Sequence, residues 1–148
     1  MMITLRKATK QDAEHVAGNL RKADALELDA ACGRSPQAVL LEALNGDCWV
    51  ACIDRIPAAL FGRDRVSPDT SIIWMVGTDS IAKRAKDLLK LSRMIFKEWH
   101  KDSKVLMNRV HADNALHIRY LKHLGCTFGP PLRNARGFYF MEFTHVYT

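Results

Sequence analysis

Val105 to Phe128 reads V-L-M-N-R-V-H-A-D-N-A-L-H-I-R-Y-L-K-H-L-G-C-T-F, and this stretch decides the fold. Val105 to Val110 is an apolar, β-rich run. Asp113-Asn114 follows, and Leu116, Tyr120, Leu121 and Leu124 then recur at helical spacing. The pattern predicts a strand, a capped turn and an amphipathic helix. Asn114 or Asp113 offers an oxygen to the orphan N–H groups of the helix start. Gly125 takes the left-handed conformation after the last turn without a Cβ clash. A strand after Gly125 returns the chain to a sheet.

Upstream, Ser80 to His100 predicts the longest helix, with Ile81, Ala85, Leu88, Ser92, Ile95 and Trp99 on its inner face. Lys83, Lys86, Lys90, Arg93, Lys97, Lys101 and Lys104 recur at the same spacing on another face and form one basic stripe. Before this helix, Ile72 to Val76 is a continuous apolar run, the signature of a strand buried on both faces. Arg63 to Asp69 is polar, contains Ser67-Pro68 and reads as a loop. Cys48 to Ile53 and Ala58 to Phe61 are short strands around the turn Asp54-Arg55-Ile56-Pro57. Downstream, Phe138 to Val146 is a final strand.

At the amino end, Ile3 to Arg6 alternates as a half-buried strand does. Thr9-x-x-Asp12 is a helix cap followed by an acid at the positive helix end. Ala13, Val16, Ala17 and Leu20 form the buried face of that first helix. Ala23 to Ala31 is a second helix, stopping near Cys32-Gly33. Ser35-Pro36 opens a third, which runs to Leu44.

Strand, two or three helices, three strands, a long helix, strand, helix, strand is the order of the GNAT N-acetyltransferase superfamily, and Val105 to Phe128 resembles the last third of that fold. The family's helix reads roughly N-x-x-[AS]-x-x-[FL]-[YL]-x-x-x-G-F. Asn114, Ile118, Tyr120, Leu121 and Gly125 fall on the pattern, with His117 in the small-residue slot and Cys126 where Phe is common. More narrowly, A-D-N-A-L-H-I-R-Y-L-K-H-L-G-C-T-F resembles the internal virion protein A family of short-tailed (autographivirus-type) bacteriophages, a GNAT-like group encoded near the morphogenesis genes. The resemblance is strongest from Lys83 to Phe143. It implies a mixed α/β (α+β) GNAT-like fold over residues 1–148 as one domain. The expected sheet is mostly antiparallel, with about six to seven strands flanked by about four helices. The long helix brings Val105 to Val110 in parallel beside Ile72 to Val76. In GNAT enzymes those two strands splay, and the coenzyme's pantetheine arm enters the gap.

Composition is that of an ordinary globular domain: 148 residues, 48% hydrophobic and 26% charged, enough to bury a core without metal or disulfide staples. No run approaches a membrane span. M-M-I-T-L-R-K has no apolar signal core, so secretion is not expected. Cys32, Cys48, Cys52 and Cys126 show no C-x-x-C spacing and read as reduced thiols in a cytosol, the host cytoplasm by the phage resemblance. Net charge +6 favours acidic partners without specifying nucleic acid.

The family grips acetyl-CoA with a loop of pattern [RQ]-x-x-G-x-[GA] ahead of the long helix, where glycines let backbone N–H groups approach the diphosphate. Aligned on Leu88-Leu89, the three positions hold Ser80, Lys83 and Ala85, and only Ala85 fits. Lys83 puts a side chain where the phosphate sits, and Asp79 adds a carboxylate at the same helix end. Lys83, Arg84 and Lys86 attract phosphate only as mobile charges. If acetyl-CoA binds, the resemblance implies contacts from Met75, Val76, Ser80, Lys83, Arg84, Ala85 and Asn114. The acid that protonates the leaving thiolate, commonly a tyrosine, falls on Leu121, which has no proton to give. Tyr120 is one position away and points about 100° elsewhere.

No general base stands out. Tyr120 and His111 are the candidates if the protein is active. Glu42, Asp54 and Asp64 are acids on the expected substrate side that also read as solvated surface charges. His111, His117 and His123 are six apart and make no helical metal pair, so no metal is expected.

Three functions are therefore carried forward. The resemblance implies a late accessory role in placing internal virion proteins, by binding and without acetylation, with no cofactor. The alternative is an acetyl-CoA-dependent N-acetyltransferase for a small-molecule or protein amine. In the third, Lys83, Lys86, Lys90, Arg93 and Lys97 bind a partner, an acidic protein face or, less favoured, DNA. Other phage virion or assembly proteins are the expected partners, a homodimer is open, and no membrane is involved.

Overall fold

The computed structural model describes residues 2–147. The chain enters through β1 (Ile3–Lys7) into α1 (Lys10–Gly18). Thr9 and Asp12 close a reciprocal capping box: the Asp12 N–H donates to Thr9 Oγ1 at 3.3 Å and the Thr9 N–H to Asp12 Oδ2 at 2.8 Å. Such a cap contributes about 1 kcal/mol. Arg6 grips the same carboxylate with both terminal nitrogens, 2.6 and 2.9 Å away. Burial pushes the Asp12 carboxyl up, but Arg6 and the Thr9 donors outweigh it and hold it below the ordinary aspartate range. α2 (Lys22–Cys32) ends at Gly33, near where the sequence predicts the stop, and the glycine's φ of 67° is a left-handed helix end. α3 (Pro36–Ala43) starts with Pro36 in its first turn, and Ser35 Oγ accepts from the Ala38 N–H at 3.2 Å.

β2 (Asp47–Ile53), β3 (Ile56–Arg65) and β4 (Thr70–Gly77) then form an antiparallel meander beside β1. A turn (Asp79–Arg84) of 3-10 type leads into α4 (Ala85–Trp99), and β5 (Val105–His111) returns parallel to β4. α5 (Ala115–His123), β6 (Thr127–Phe128), β7 (Leu132–Arg133) and β8 (Tyr139–Val146) complete the chain. The sheet order is β1-β2-β3-β4-β5-β8-β6, with β7 also on β8. The sheet has apolar packing on both faces. Val50, Leu60 and Val76 meet α1 and α3 through Val16 and Leu40. Their alternating neighbours Ala51, Phe61 and Ile73 meet α4 and α5 through Leu88, Ile95, Trp99 and Leu121.

Several expectations need correction. The mixed, mostly antiparallel sheet is the one expected; the described residues form eight strands with five α-helices, the strand count rising past six to seven because β6 and β7 are two-residue strands too short to show a period. β3 runs through Arg65 where a loop is expected from Arg63. Its polar end is kept in the sheet by Arg63, which reaches Asp47 Oδ2 at 3.1 Å and Asp102 Oδ2 at 3.0 Å. The hairpin turn is only Asp54-Arg55, both left-handed (φ 49° and 71°), so that Ile56 and Pro57 already belong to β3. Pro57 sits where the register shifts, and a proline costs least at such a bulge. β4 is not buried on both faces, since Ile72 is 37% exposed. The long helix does not start at Ser80. The Thr78 N–H donates to Ala58 O and the Ile81 N–H to Thr78 O, which ties the first residues into a tight turn. The α-helix begins only at Ala85, and Ala85 is exposed and not part of the inner face.

Among the described residues no helix is long and apolar enough to cross a membrane. Cys48, Cys52 and Cys126 are buried and Cys32 is exposed. Burial raises the Cys48 thiol to about 11 and the Cys126 thiol to about 12, so neither is a thiolate nucleophile at neutral pH.

Candidate functional site

β4 and β5 pair for only three positions, Thr70 with Val105, Ser71 with Leu106 and Ile72 with Met107, and then part. Parted parallel strands leave unpaired N–H and C=O groups facing one another, and in a buried sheet these must find other partners. At the fork the Asn108 side chain supplies them. Its Nδ2 donates across the gap to Ile73 O at 2.7 Å, and its Oδ1 accepts from the Arg109 N–H at 2.7 Å.

At the open end α2 supplies them. Asp24 and Glu27 stand three residues apart and so share one face of that helix. The Gly77 N–H at the end of β4 donates to Asp24 Oδ2 at 2.9 Å, and the Arg21 N–H returns a bond to Gly77 O at 2.9 Å. The His111 N–H at the end of β5 donates to Glu27 Oε1 at 2.8 Å. Asp24 Oδ1 also accepts from Arg21 Nη1 at 2.9 Å and from Asn114 Nδ2 at 3.1 Å. The His117 Nδ1 lies 3.4 Å from Glu27 Oε2. Burial, the largest influence on Glu27, pushes its carboxyl up. The His117 imidazole and the His111 N–H more than offset this, and the group stays below the ordinary glutamate range.

Between these two closures lies a cavity of about 400 Å3, walled by Leu28 and Leu40 on the α2 and α3 side and by Phe96, Tyr120 and Phe143 on the α4 and α5 side. Alternate residues of a strand aim their backbone groups the same way. Ile73 and Gly77 face the gap, so Met75 between them does too, and its amide opens into the cavity.

The structure brings Met75, Val76 and Tyr120 together on this cavity and sets Asn114 and His111 at its closed end. Ser80, Lys83, Arg84 and Ala85 lie apart from it. The Ser80 hydroxyl is 2.7 Å from Thr78 Oγ1, Lys83 and Ala85 are exposed, and Arg84 pairs with Asp87 in the first turn of α4. A carboxylate thus stands at the helix end where a diphosphate would need donors. Tyr120 is half-buried with its hydroxyl on Ser92 and the Leu88 carbonyl, and desolvation there pushes its pKa upward. Leu121, in the slot of the usual acid, is 3% exposed and part of the core.

His111 packs its ring against Phe140, with centroids 5.2 Å apart. Of the acids read as solvated, Glu42 pairs with Arg34 at 2.7 Å on the surface and Asp54 accepts from the Met2 N–H at 2.8 Å. Asp64 lines the cavity, as Glu42 also does. Lys86, Lys90, Arg93 and Lys97 are exposed along α4. Sequence reasoning missed Asp24, Glu27 and Asn108. The available signal was the pair of acids inside the apolar stretch A-D-A-L-E-L, which puts two carboxylates on a face the helix buries.

No protein-family model and no curated protein sequence matches the chain. Solved structures do match over nearly the whole chain. An acetyltransferase of the GNAT family from Bacillus anthracis superposes with a TM-score of 0.71 at 9% identity, covering 97% of this chain and 94% of that one. An N-acetyltransferase from Staphylococcus aureus gives 0.71 at 11% identity, covering 99% of each. AAC(6')-Ib in complex with ribostamycin and coenzyme A gives 0.72 at 14% identity, covering 99% of this chain and 94% of that one. The mixed sheet with its parted β4 and β5 is the GNAT fold.

Proposed function

We propose, from the premise that this chain has the GNAT fold, that it does not acetylate and works by contact, as an accessory protein in the assembly of a phage particle. The observation that carries the non-catalytic half is the pair of α2 carboxylates on the parted strand ends. The N–H groups of Gly77 and His111 are satisfied by Asp24 and Glu27, side chains of the same polypeptide. A coenzyme arm entering here has to displace both, and displacing a hydrogen-bonded buried carboxylate leaves an uncompensated charge costing several kcal/mol, on the order of 3–5. The coenzyme also carries a diphosphate, so two carboxylates at the mouth oppose its approach. Lys83 in the glycine position adds a side chain in the way, and Asp87 at the start of α4 adds a further carboxylate.

The assembly half rests on the likeness of Lys83 to Phe143 to the phage internal virion protein A family. Lys83, Lys86, Lys90, Arg93 and Lys97 are all exposed and give the fold a basic face suited to an acidic surface of another virion protein.

A second reading, an acetyl-CoA-dependent N-acetyltransferase, is favoured by one observation, the 400 Å3 cavity with the Met75 amide opening into it. An amide N–H in that position is what stabilises the oxyanion of an acyl transfer. Calorimetric titration with acetyl-CoA separates the two. The contact reading expects no saturable heat at millimolar coenzyme and no free thiol released on adding amines. Micromolar affinity with thiol release would establish the enzyme.

A further inference from the structure

We propose that Asp24, Glu27, His117 and Asn114 form a binding site for a divalent first-row transition metal ion, which pins α2 across the open end of the strand gap. The inference does not depend on whether acyl transfer occurs. One ligand atom each from Asp24, Glu27 and His117 lie within 4.8 Å of one another. A metal about 2.0–2.2 Å from each atom needs separations of about 3–4.5 Å, so small side-chain adjustments complete the geometry.

Two polar atoms in the same place lack a hydrogen-bond partner among the described residues, Asn114 Oδ1 and His117 Nδ1. Asn114 is 1% exposed and His117 8%. The Asn114 amide already touches the cluster, since its Nδ2 donates to Asp24, and the carbonyl end of that amide is the orphan. His117 Nδ1 is 3.4 Å from Glu27 Oε2 with no hydrogen bond formed between them, a spacing that also suits two ligands of one ion. A buried carbonyl oxygen and a buried imidazole nitrogen left without partners are each costly to keep out of water. One cation satisfies both.

Charge points the same way. The Arg21 guanidinium, 2.9 Å from Asp24, offsets one of the two carboxylates. With the imidazole neutral, the form that ligates a metal, Glu27 leaves the cluster net negative in a space shielded from water, where a bound dication is strongly attracted. One imidazole nitrogen with carboxylate and amide oxygens suits Zn2+ or Mn2+ better than the all-oxygen preference of Mg2+ or Ca2+. The expectation of no metal considered only the spacing of His111, His117 and His123. The cluster instead joins α2 to α5 and the turn before it.

The test uses full-length protein dialysed against a chelator and titrated with Zn2+ and with Mn2+ in a calorimeter. We expect one ion per chain, with affinity at least about tenfold weaker in Glu27→Gln and in His117→Gln, since ligand loss exceeds the effect of losing an outer partner. A second readout on the wild-type chain avoids reliance on variants that fold poorly. Substoichiometric Mn2+ should broaden the His117 ring and Asn114 side-chain amide resonances first.

Four results would overturn the site. The first is no saturable binding, which leaves an imidazole–carboxylate pair only. The second is affinity unchanged in both variants, and the third is equal competition by Mg2+. The fourth is broadening centred on His100 and His145, whose ring nitrogens are 2.8 Å apart on the far side of the fold.

Discussion

Asp24→Ala is expected to destabilise the chelator-treated protein by about 3–5 kcal/mol, the cost of breaking a buried ion pair from one side. Asp24 is 2% exposed and accepts from three donors on three different segments: Arg21 on its own helix, Gly77 at the end of β4 and Asn114 before α5. Removing the carboxylate leaves the Arg21 charge, 12% exposed in its side chain, and the Gly77 N–H without partners. It also frees α2 from the strand gap. Asp24→Asn keeps the shape and part of the bonding and is expected to lose less. Urea unfolding followed by circular dichroism measures both. A loss below about 1 kcal/mol for the alanine, the value of an exposed ion pair, would mean that water reaches the cluster and that α2 does not seal the gap.

Gly62→Ala is expected to cost about 3 kcal/mol, the upper end of ordinary overpacking. Gly62 on β3 faces Trp74 on β4, and the indole lies across the glycine. A Cβ there would stand 2.1 Å from Trp74 Cζ2 and 2.2 Å from Cε2. The atoms in the way belong to a fused ring, which moves only as a whole. Trp74 also lines the cavity, so a displaced indole changes its shape. Unfolding free energy and tryptophan fluorescence together check this. Gly18→Ala serves as the control, because a Cβ at Gly18 meets nothing within 4 Å. Equal stability of the two variants would show that the Trp74 ring is not seated on the glycine.

How far the sequence discloses this molecule depends on the range over which the information acts. The β5, turn and α5 unit is readable because its signals are local: a continuous apolar run, a polar turn, four apolar residues at helical spacing, and Gly125, whose φ is 91°. The box formed by Thr9 and Asp12 is local for the same reason. The polar end of β3 is not readable, because Arg63 is held in the sheet by Asp102, 39 residues on. The closure of the gap is less readable still. Gly77 meets Asp24 across 53 residues and His111 meets Glu27 across 84. No periodicity in a single chain encodes such pairings, and A-D-A-L-E-L marks two carboxylates on a buried helix face without showing what they meet. Lys83 standing where GNAT phosphate loops carry glycine is legible in the sequence. That the strand gap behind it is also occupied by the chain's own carboxylates emerges only from the fold.

On the contact reading, the gap between β4 and β5 is held by this chain's own side chains and does not admit the coenzyme. Diffraction from crystals soaked in millimolar acetyl-CoA tests it most directly. The prediction is that Asp24 remains on the Gly77 N–H and Glu27 on the His111 N–H, with no coenzyme density between the strands. A pantetheine arm lying against Met75, with both carboxylates swung away, would contradict it.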